Sequence, residues 1–269
     1  MDIRGKIIVI TGASSGIGAA TARELVAHGA VLVLAARRAE ELALLQREIE
    51  RGGGQALSLP TDVTRRPDID RLVQTTLDTY GRIDVLVNNA GISPGQPIAE
   101  LADAELQRVF DVNLLAPARL TSVVVPHMRR QGGGLIVNIG SVAGEIATNS
   151  VYAATKFGLR GLNDALRREL RHDNITLVLI APGFIRTAMT AGASFPMPGP
   201  EIVAQAVAAA IRRPRRKIVV PWFYQLVMLI GKLLPGLADV VLGSTFYQRS
   251  YRQRKHIADE QRSQTNSRS

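Results

Sequence analysis

Tyr152 and Lys156 stand four residues apart in "YAATK", within a stretch of helical periodicity over 150–171. Residues at i and i+4 share one helix face. A lysine charge beside a phenol favours the phenolate and lowers its pKa. A free tyrosine titrates at about 10, so bringing it to about 7 takes roughly 4 kcal/mol of differential stabilisation. A tyrosine tuned in this way can pass its proton to a carbonyl oxygen as hydride reaches the carbon. Such pairs also decorate exposed helices by chance, so the surroundings must decide. Ser141 lies just past the apolar run "GLIVNI" (134–139), in "IVNIGSVAG". The C-terminal edge of a strand is where open α/β sheets bind ligands, and a hydroxyl there can hold a substrate oxygen. A nucleophilic serine is the rival reading. Its elbow needs glycine two residues earlier, and Ile139 stands there. His28, His127, His172 and His256 form no partner set for it. They also lack metal-ligand spacing, so no metal is expected.

These residues need a scaffold, and the apolar pattern supplies one. Short runs nearly continuous in Val, Ile and Leu occur at 6–10, 31–35, 56–59, 83–88, 134–139, 175–180 and 217–220. Strands buried on both faces of a parallel sheet read this way. Amphipathic stretches lie between them, such as 39–51 with Leu42, Leu45 and Ile49 on one face. "RGGGQ" and "RQGGGL" read as helix ends leading into strands. Seven strands alternating with about six helices predict an α/β class: a doubly wound, Rossmann-like, seven-stranded parallel sheet flanked by helices.

"TGASSGIG" (11–18) follows the first strand and opens a helix at about 16–28. Gly12, Gly16 and Gly18 have the spacing G-x-x-x-G-x-G. Glycine permits the tight turn, and the helix N-terminus points free N–H groups at a phosphate. Ser14 and Ser15 add hydroxyl donors. No lysine follows the glycines, which excludes a P-loop. The second strand ends in "LAARR". An acid at its tip would bind the diol of an unphosphorylated ribose, but Ala36 holds that position, followed by Arg37 and Arg38. Guanidinium groups suit a 2′-phosphate, which favours NADP(H) over NAD(H).

Composition narrows the classes. The chain has 269 residues, and 46% hydrophobic with 21% charged residues suits a globular α/β domain. Cysteine is absent, which excludes a disulfide framework and fits a reducing, cytoplasmic setting. The apolar run after "MDIRG" is too short for a signal-peptide core or a membrane span. A net charge of +10 raises nucleic acid as a partner, yet aromatics are only 4% and no nucleic-acid motif occurs. No nucleic acid is therefore expected.

"TGASSGIG", "NNAG" (88–91), "VN" (112–113), Ser141, "YAATK" and "PG" (182–183), in this order, resemble the short-chain dehydrogenase/reductase superfamily over about 1–220. The resemblance implies hydride transfer between NAD(P)(H) and a carbonyl or alcohol. It makes Tyr152 the acid/base and Ser141 the group that orients the substrate oxygen. Lys156 would lower the pKa of Tyr152 and bind the nicotinamide ribose. Asn113 would hold a water in a proton relay to Lys156. It also implies cofactor contacts from Gly12, Ser14, Ser15, Gly16, Ile17, Gly18, Arg37 and Arg38. Asp62 and Val63 would lie by the adenine, and Asn89, Ala90 and Gly91 along the cofactor. Pro182, Gly183, Ile185 and Thr187 would bracket the nicotinamide. One departure is visible: ten residues separate Ser141 from Tyr152, where the family usually has about twelve. The loop "EIATNS" must be tighter.

The substrate end is less specific. The segment "AMTAGASFPMPGP", a lid in the family it resembles, carries Met189, Phe195 and Met197; it reads either as an apolar substrate wall or as an ordinary surface loop, and the C-terminal extension resembles that of lipid-acting short-chain reductases, which implies an apolar, lipid-like ketone. Residues 221–248 form an apolar C-terminal extension, expected to pack on the domain or an oligomer partner. An anionic membrane surface contacted through 212–255 is the second reading, because basic clusters flank the apolar part. The basic, polar tail 249–269 is expected to be disordered. The leading function is an NADP(H)-dependent carbonyl reductase or alcohol dehydrogenase, acting on a small-molecule substrate as a homo-oligomer. The alternative is a non-catalytic NADP-binding sensor or scaffold, whose sign would be loss of Tyr152 or Lys156.

Overall fold

A computed structural model of the chain describes residues 1–94, 97–147, 150–191 and 196–243. Seven strands form one parallel sheet: β1 (Ile7–Thr11), β2 (Val31–Ala36), β3 (Gln55–Pro60), β4 (Val85–Asn88), β5 (Gly134–Ile139), β6 (Ile175–Pro182) and β7 (Lys217–Val220). Their order is β3-β2-β1-β4-β5-β6-β7. The chain reverses direction across the sheet between β1 and β4, so a crevice opens at the C-terminal ends of those two strands.

The apolar runs form strands because each residue finds a core on its own side. In β5, Leu135, Val137 and Ile139 enter one cluster while Ile136 enters the other. β6 does the same, with Val178 and Ile180 on one face and Ile175 and Leu177 on the opposite face. Such alternation is the period-two geometry of a strand buried on both sides. The first face is covered by α1 (Gly16–Ala27), α2 (Ala39–Arg51) and α7 (Glu201–Arg212). The second is covered by α3 (Arg66–Tyr80), α5 (Ala116–Arg130) and the C-terminal part of α6 (Ser150–Glu169). Leu42, Leu45 and Ile49 are the buried stripe of α2, as their spacing predicts.

Two features go beyond the sequence pattern. Between α4 (Asp103–Phe110) and α5, residues Asp111–Leu115 form a π-helical turn that carries Asn113. Beyond β7, α8 (Tyr224–Leu233) and α9 (Pro235–Gly243) meet at a bend of 113°. The basic cluster 212–217 runs into the start of β7, and part of it is already paired. Arg216 bonds Asp164 at 2.7 Å, and Lys217 bonds Glu145 at 2.9 Å. Those two cations are thus engaged within the fold instead of standing free beside the apolar extension. The tail 249–269 lies outside the described residues.

Candidate active site

The glycine loop is built by backbone packed on backbone. Gly12 has φ +66°, a left-handed conformation natural to glycine. A Cβ on Gly18 would stand 2.2 Å from the Gly12 carbonyl oxygen and 2.6 Å from Asn89 Nδ2. Asn89 donates from Nδ2 to the carbonyls of Thr11 (2.8 Å) and Gly12 (3.2 Å). Thr11 Oγ1 accepts from the N–H groups of Asn89 and Ala90 at 3.0 and 3.1 Å. The end of β4 is therefore laced to the end of β1. Asn89 acts first as a buttress of the loop. Thr11 was not foreseen as a site residue, although it heads the glycine motif.

α1 begins at Gly16 with no acidic residue in its first turn, and the Ser15 side chain makes no capping bond. First-turn N–H groups have no intrahelical partner, and the helix dipole favours an anion there. Arg38 reaches this point from the tip of β2. Its guanidinium donates to Ser14 Oγ at 3.0 Å and Ser15 Oγ at 2.7 Å, and pairs with Glu41 at 3.2 Å. Ala36, the last residue of β2, supplies no carboxylate. A guanidinium, two hydroxyls and an open helix N-terminus fit a phosphate-rich dinucleotide. Arg37 is exposed beside them. Thr61 N–H bonds the Ala36 carbonyl, which brings Asp62 and buried Val63 to the same edge. The Asp62 carboxylate accepts from Thr64 N–H and Oγ1 at 2.9 and 2.7 Å.

Deeper in the crevice, α6 presents Tyr152 and Lys156 one turn apart. Lys156 is buried and donates from Nζ to the Ile139 carbonyl at 2.9 Å; Nζ lies 5.6 Å from the centre of the Tyr152 ring. Burial lowers the lysine's pKa from 10.5 to about 8. Burial also raises the Tyr152 phenol, and a hydrogen bond with Ser141 partly offsets this. Desolvation of the phenol is the dominant effect, not the expected lowering by Lys156, whose Nζ faces a backbone carbonyl.

Ser141 caps the short 3-10 turn Val142–Gly144, its Oγ accepting from Ala143 N–H at 3.1 Å. That turn lies directly on α6. A Cβ on Gly144 would come within 2.7 Å of the Lys156 carbonyl group. This close approach lets the shortened Ser141–Tyr152 connection still bring both hydroxyls together. Residues 148–149 of that connection lie outside the described residues.

Asn113 is fully buried in the π-turn. Its Oδ1 accepts from Ile92 N–H at 2.8 Å, and its Nδ2 donates to the Ile92 carbonyl at 2.8 Å and to Thr155 Oγ1 at 3.1 Å. Its amide thus ties the chain after "NNAG" to α6. A Cβ on Gly91 would lie 3.4 Å from Asn113 Oδ1 and 3.7 Å from Lys156 Nζ, so the three converge. π-turns recur at functional sites, yet no local spacing in the sequence announces this one.

On the other wall, Pro182 ends β6 and Gly183 follows with the Tyr224 ring laid against it; a Cβ there would meet the ring at 2.2 Å. Ile185 is buried. Thr187 heads a 3-10 turn and approaches Gly16, where a Cβ would meet its methyl at 3.4 Å. Ile17, beside Gly16, is partly buried against the first core face. The glycine loop and the 182–187 segment therefore border one cleft. Met189 and Met197 lie along the following segment, Met189 half exposed. Phe195 lies outside the described residues.

Sequence reasoning missed Glu145. Its side chain is buried, yet three cations surround it: Arg160 at 2.8 Å, Lys217 at 2.9 Å, and Lys232 of α8 in a short contact. Burial pushes its carboxyl pKa up; the Lys232 and Lys217 hydrogen bonds and nearby charges outweigh this and hold it below the usual range. The partners come from α6, β7 and α8, far apart in sequence, so no motif marks the cluster.

A family profile of short chain dehydrogenases matches residues 6–195. The chain is 36% identical over 252 residues to a ketoacyl reductase, HetN, of Nostoc, covering 88% of each protein. A short-chain dehydrogenase/reductase from Burkholderia phymatum, solved with NAD, superposes with a TM-score of 0.82 at 26% identity, over 88% of this chain and 96% of that one. A metagenomic short-chain oxidoreductase solved with NADP gives 0.72 at 36% identity, over 82% and 98%.

Proposed function

Because the chain belongs to the short-chain dehydrogenase family, and is thus an oxidoreductase acting on CH–OH groups with NAD(P), we propose that it is an NADP(H)-dependent reductase of an apolar, acyl-type ketone. The observation that carries the reading is the meeting of Ser141, Tyr152 and Lys156 at the C-terminal ends of β4 and β5. When bound, the dinucleotide supplies the hydride. The protein's own groups do the rest. Ser141 and Tyr152 hydrogen-bond the carbonyl oxygen and orient it. The Tyr152 hydroxyl gives its proton to that oxygen as negative charge develops there. Lys156 holds positive charge beside the phenol and favours the proton's departure. Asn113 fixes Ile92 and Thr155 around the lysine. Gly12, Gly16 and Gly18 admit the pyrophosphate to the start of α1. Asp62 and Val63 border the adenine, Ala90 and Gly91 line the cofactor, and Pro182, Gly183, Ile185 and Thr187 flank the nicotinamide. In this reading 1–220 is the catalytic unit and the segment after it an appended cap.

The NADP preference is supported by Arg38 on Ser14 and Ser15, with Arg37 beside it and no acid at Ala36. An acyl-type substrate is supported by the likeness to a ketoacyl reductase, by Tyr224 laid on Gly183, and by the apolar Met189 and Met197 in the segment after Thr187. The test is oxidation of NADPH and NADH against short ketones and a long-chain 3-ketoacyl thioester. Tyr152→Phe is expected to cut kcat about 10²–10⁴-fold with NADPH affinity unchanged. Arg38→Ala should weaken NADPH about 10–100-fold, the loss of one or two charge-assisted hydrogen bonds, and leave NADH unaffected. Unchanged turnover in Tyr152→Phe would remove the assigned acid. Tight NADPH binding without turnover on any ketone would restore the sensor or scaffold reading.

A further inference from the structure

α8 ties its one charge to Glu145 and leaves most of its apolar side chains exposed. Between Trp222 and Ala238 the only charged residue is Lys232, and it is bound to Glu145. Tyr224 lies on Gly183, Met228 is buried, and Gly231 sits against Ile146. These positions form the inner stripe at helical spacing. The outer stripe holds Leu226 at 58% exposure, Leu229 at 54% and Leu233 at 69%, and it continues onto α9 through Leu237 and Val240. Trp222 starts it, 76% exposed. A largely apolar face of this extent, interrupted on α9 by the exposed Asp239, is expected to have a partner.

Charge decides which partner. The chain after α9, 244–269, carries six basic residues against two acidic. A second copy would add a second segment of the same charge. An anionic lipid surface would neutralise them instead. Geometry agrees with a surface contact. α8 has ten residues and α9 nine, and the pair is bent by 113°. Spanning a bilayer takes about 20 consecutive helical residues, so this pair is shaped to lie in the headgroup plane. We propose that the outer face of α8–α9 docks on an anionic lipid surface, with the aromatic end at Trp222 and the net positive charge of the sequence after α9 as its complement. Because α8 is fastened to the active-site loop through Lys232–Glu145 and Ile146, docking holds the cleft against that surface. The proposal does not depend on which ketone is reduced.

Trp222 is the sole tryptophan, so its fluorescence reports this face alone. The full chain is mixed with vesicles of phosphatidylcholine, or of phosphatidylcholine and phosphatidylglycerol at about 3:1, at low salt and at about 0.5 M NaCl, where charge attraction is screened. With anionic vesicles the emission should move to shorter wavelength, and sedimentation should bring down at least about 10-fold more protein than with phosphatidylcholine alone, an advantage that high salt removes. The double variant Leu226→Ser/Leu233→Ser should lose that binding while keeping its melting temperature and NADPH affinity. Unmoved emission with no sedimentation on anionic vesicles would overturn the proposal. Equal, salt-insensitive binding to both vesicles would overturn its anionic character. A concentration-dependent emission shift without lipid, with the chain sedimenting as a dimer that the double variant abolishes, would assign the face to a second copy.

Discussion

The glycine loop and the α8–α9 segment, whose Tyr224 lies on Gly183, are held in different ways. The loop is fixed by backbone against backbone: Gly18 on the Gly12 carbonyl, and Thr11 and Asn89 closing the gap to β4. The cap is fixed by side chains, chiefly one buried carboxylate with cations from three elements and a small apolar contact around Met228. Backbone contact tolerates no added atom, whereas side-chain contact tolerates rearrangement. The rigid end suits a cofactor of constant shape. The adjustable end suits the part of the site that differs between substrates and surfaces.

Gly18→Ala should produce the largest effect and breaks the comparison if it does not. Its methyl would face the Gly12 carbonyl oxygen at 2.2 Å, and neither group is a flexible side-chain tip. The loop must move. We expect a loss of about 1–3 kcal/mol in stability, the usual cost of overpacking, and NADPH affinity lowered at least about 100-fold. Calorimetry of the free protein and a cofactor titration measure the two. Full affinity in the alanine variant would show that the loop is as adjustable as the cap.

Glu145→Gln tests the cap. The amide keeps the shape and removes the charge, leaving Arg160, Lys217 and Lys232 without their common anion. All three cations are partly exposed and can rehydrate, so the expected loss is moderate, about 1–3 kcal/mol. The pH dependence has a definite sign. The folded carboxyl titrates below its usual range, so its stabilisation is present above the unfolded-state pKa and lost as pH falls through the folded one. The gap between wild type and variant should therefore persist at neutral pH and close only in acid, below the usual carboxylate range. The variant should also raise KM more than it lowers kcat, because it loosens the loop between Ser141 and α8 while leaving Tyr152 and Lys156 on their helix. A fall in kcat at constant KM would place Glu145 in the chemistry itself.

What could be read from the chain follows the same division. β5 and β6 were legible because strands buried on both faces must be apolar throughout, and "YAATK" because one helical turn carries both groups. The glycine loop was legible because its constraint acts on neighbouring backbone. Glu145 was not, since its partners come from positions 160, 217 and 232 and nothing local distinguishes it from a surface glutamate. Part of the basic flank at 212–217 was misjudged for the same reason: Asp164 and Glu145 engage Arg216 and Lys217 only after folding. Asn88, Asn138 and Asn163 form a buried amide ladder across β4, β5 and α6 that likewise exists only in three dimensions. The Lys156 contact with the Ile139 carbonyl belongs to this class too, although the lysine itself was in view.

Lys156 gives the smallest effect on stability and the one that sharpens the contrast most, because it places a buried charge between the two ends. In the folded protein its pKa is lowered by burial from 10.5 to about 8, so folding disfavours its proton. Between those values the unfolded chain binds more protons than the folded one, and stability rises with pH. Below about pH 8 the folded protein carries the cost of a desolvated ammonium group, offset in part by its bond to the Ile139 carbonyl. Replacing a buried charge with an apolar side chain of similar length is often neutral or stabilising. Lys156→Met should therefore melt at or above wild type at pH 7, and its advantage should shrink as pH rises from about 8 towards 10.5. Turnover should be lost all the same. Melting curves across that window, taken without cofactor, measure the effect. A variant less stable than wild type by a constant amount at every pH would show that the Ile139 bond, not the charge, dominates, and that Lys156 holds β5 to α6 before it serves any reaction.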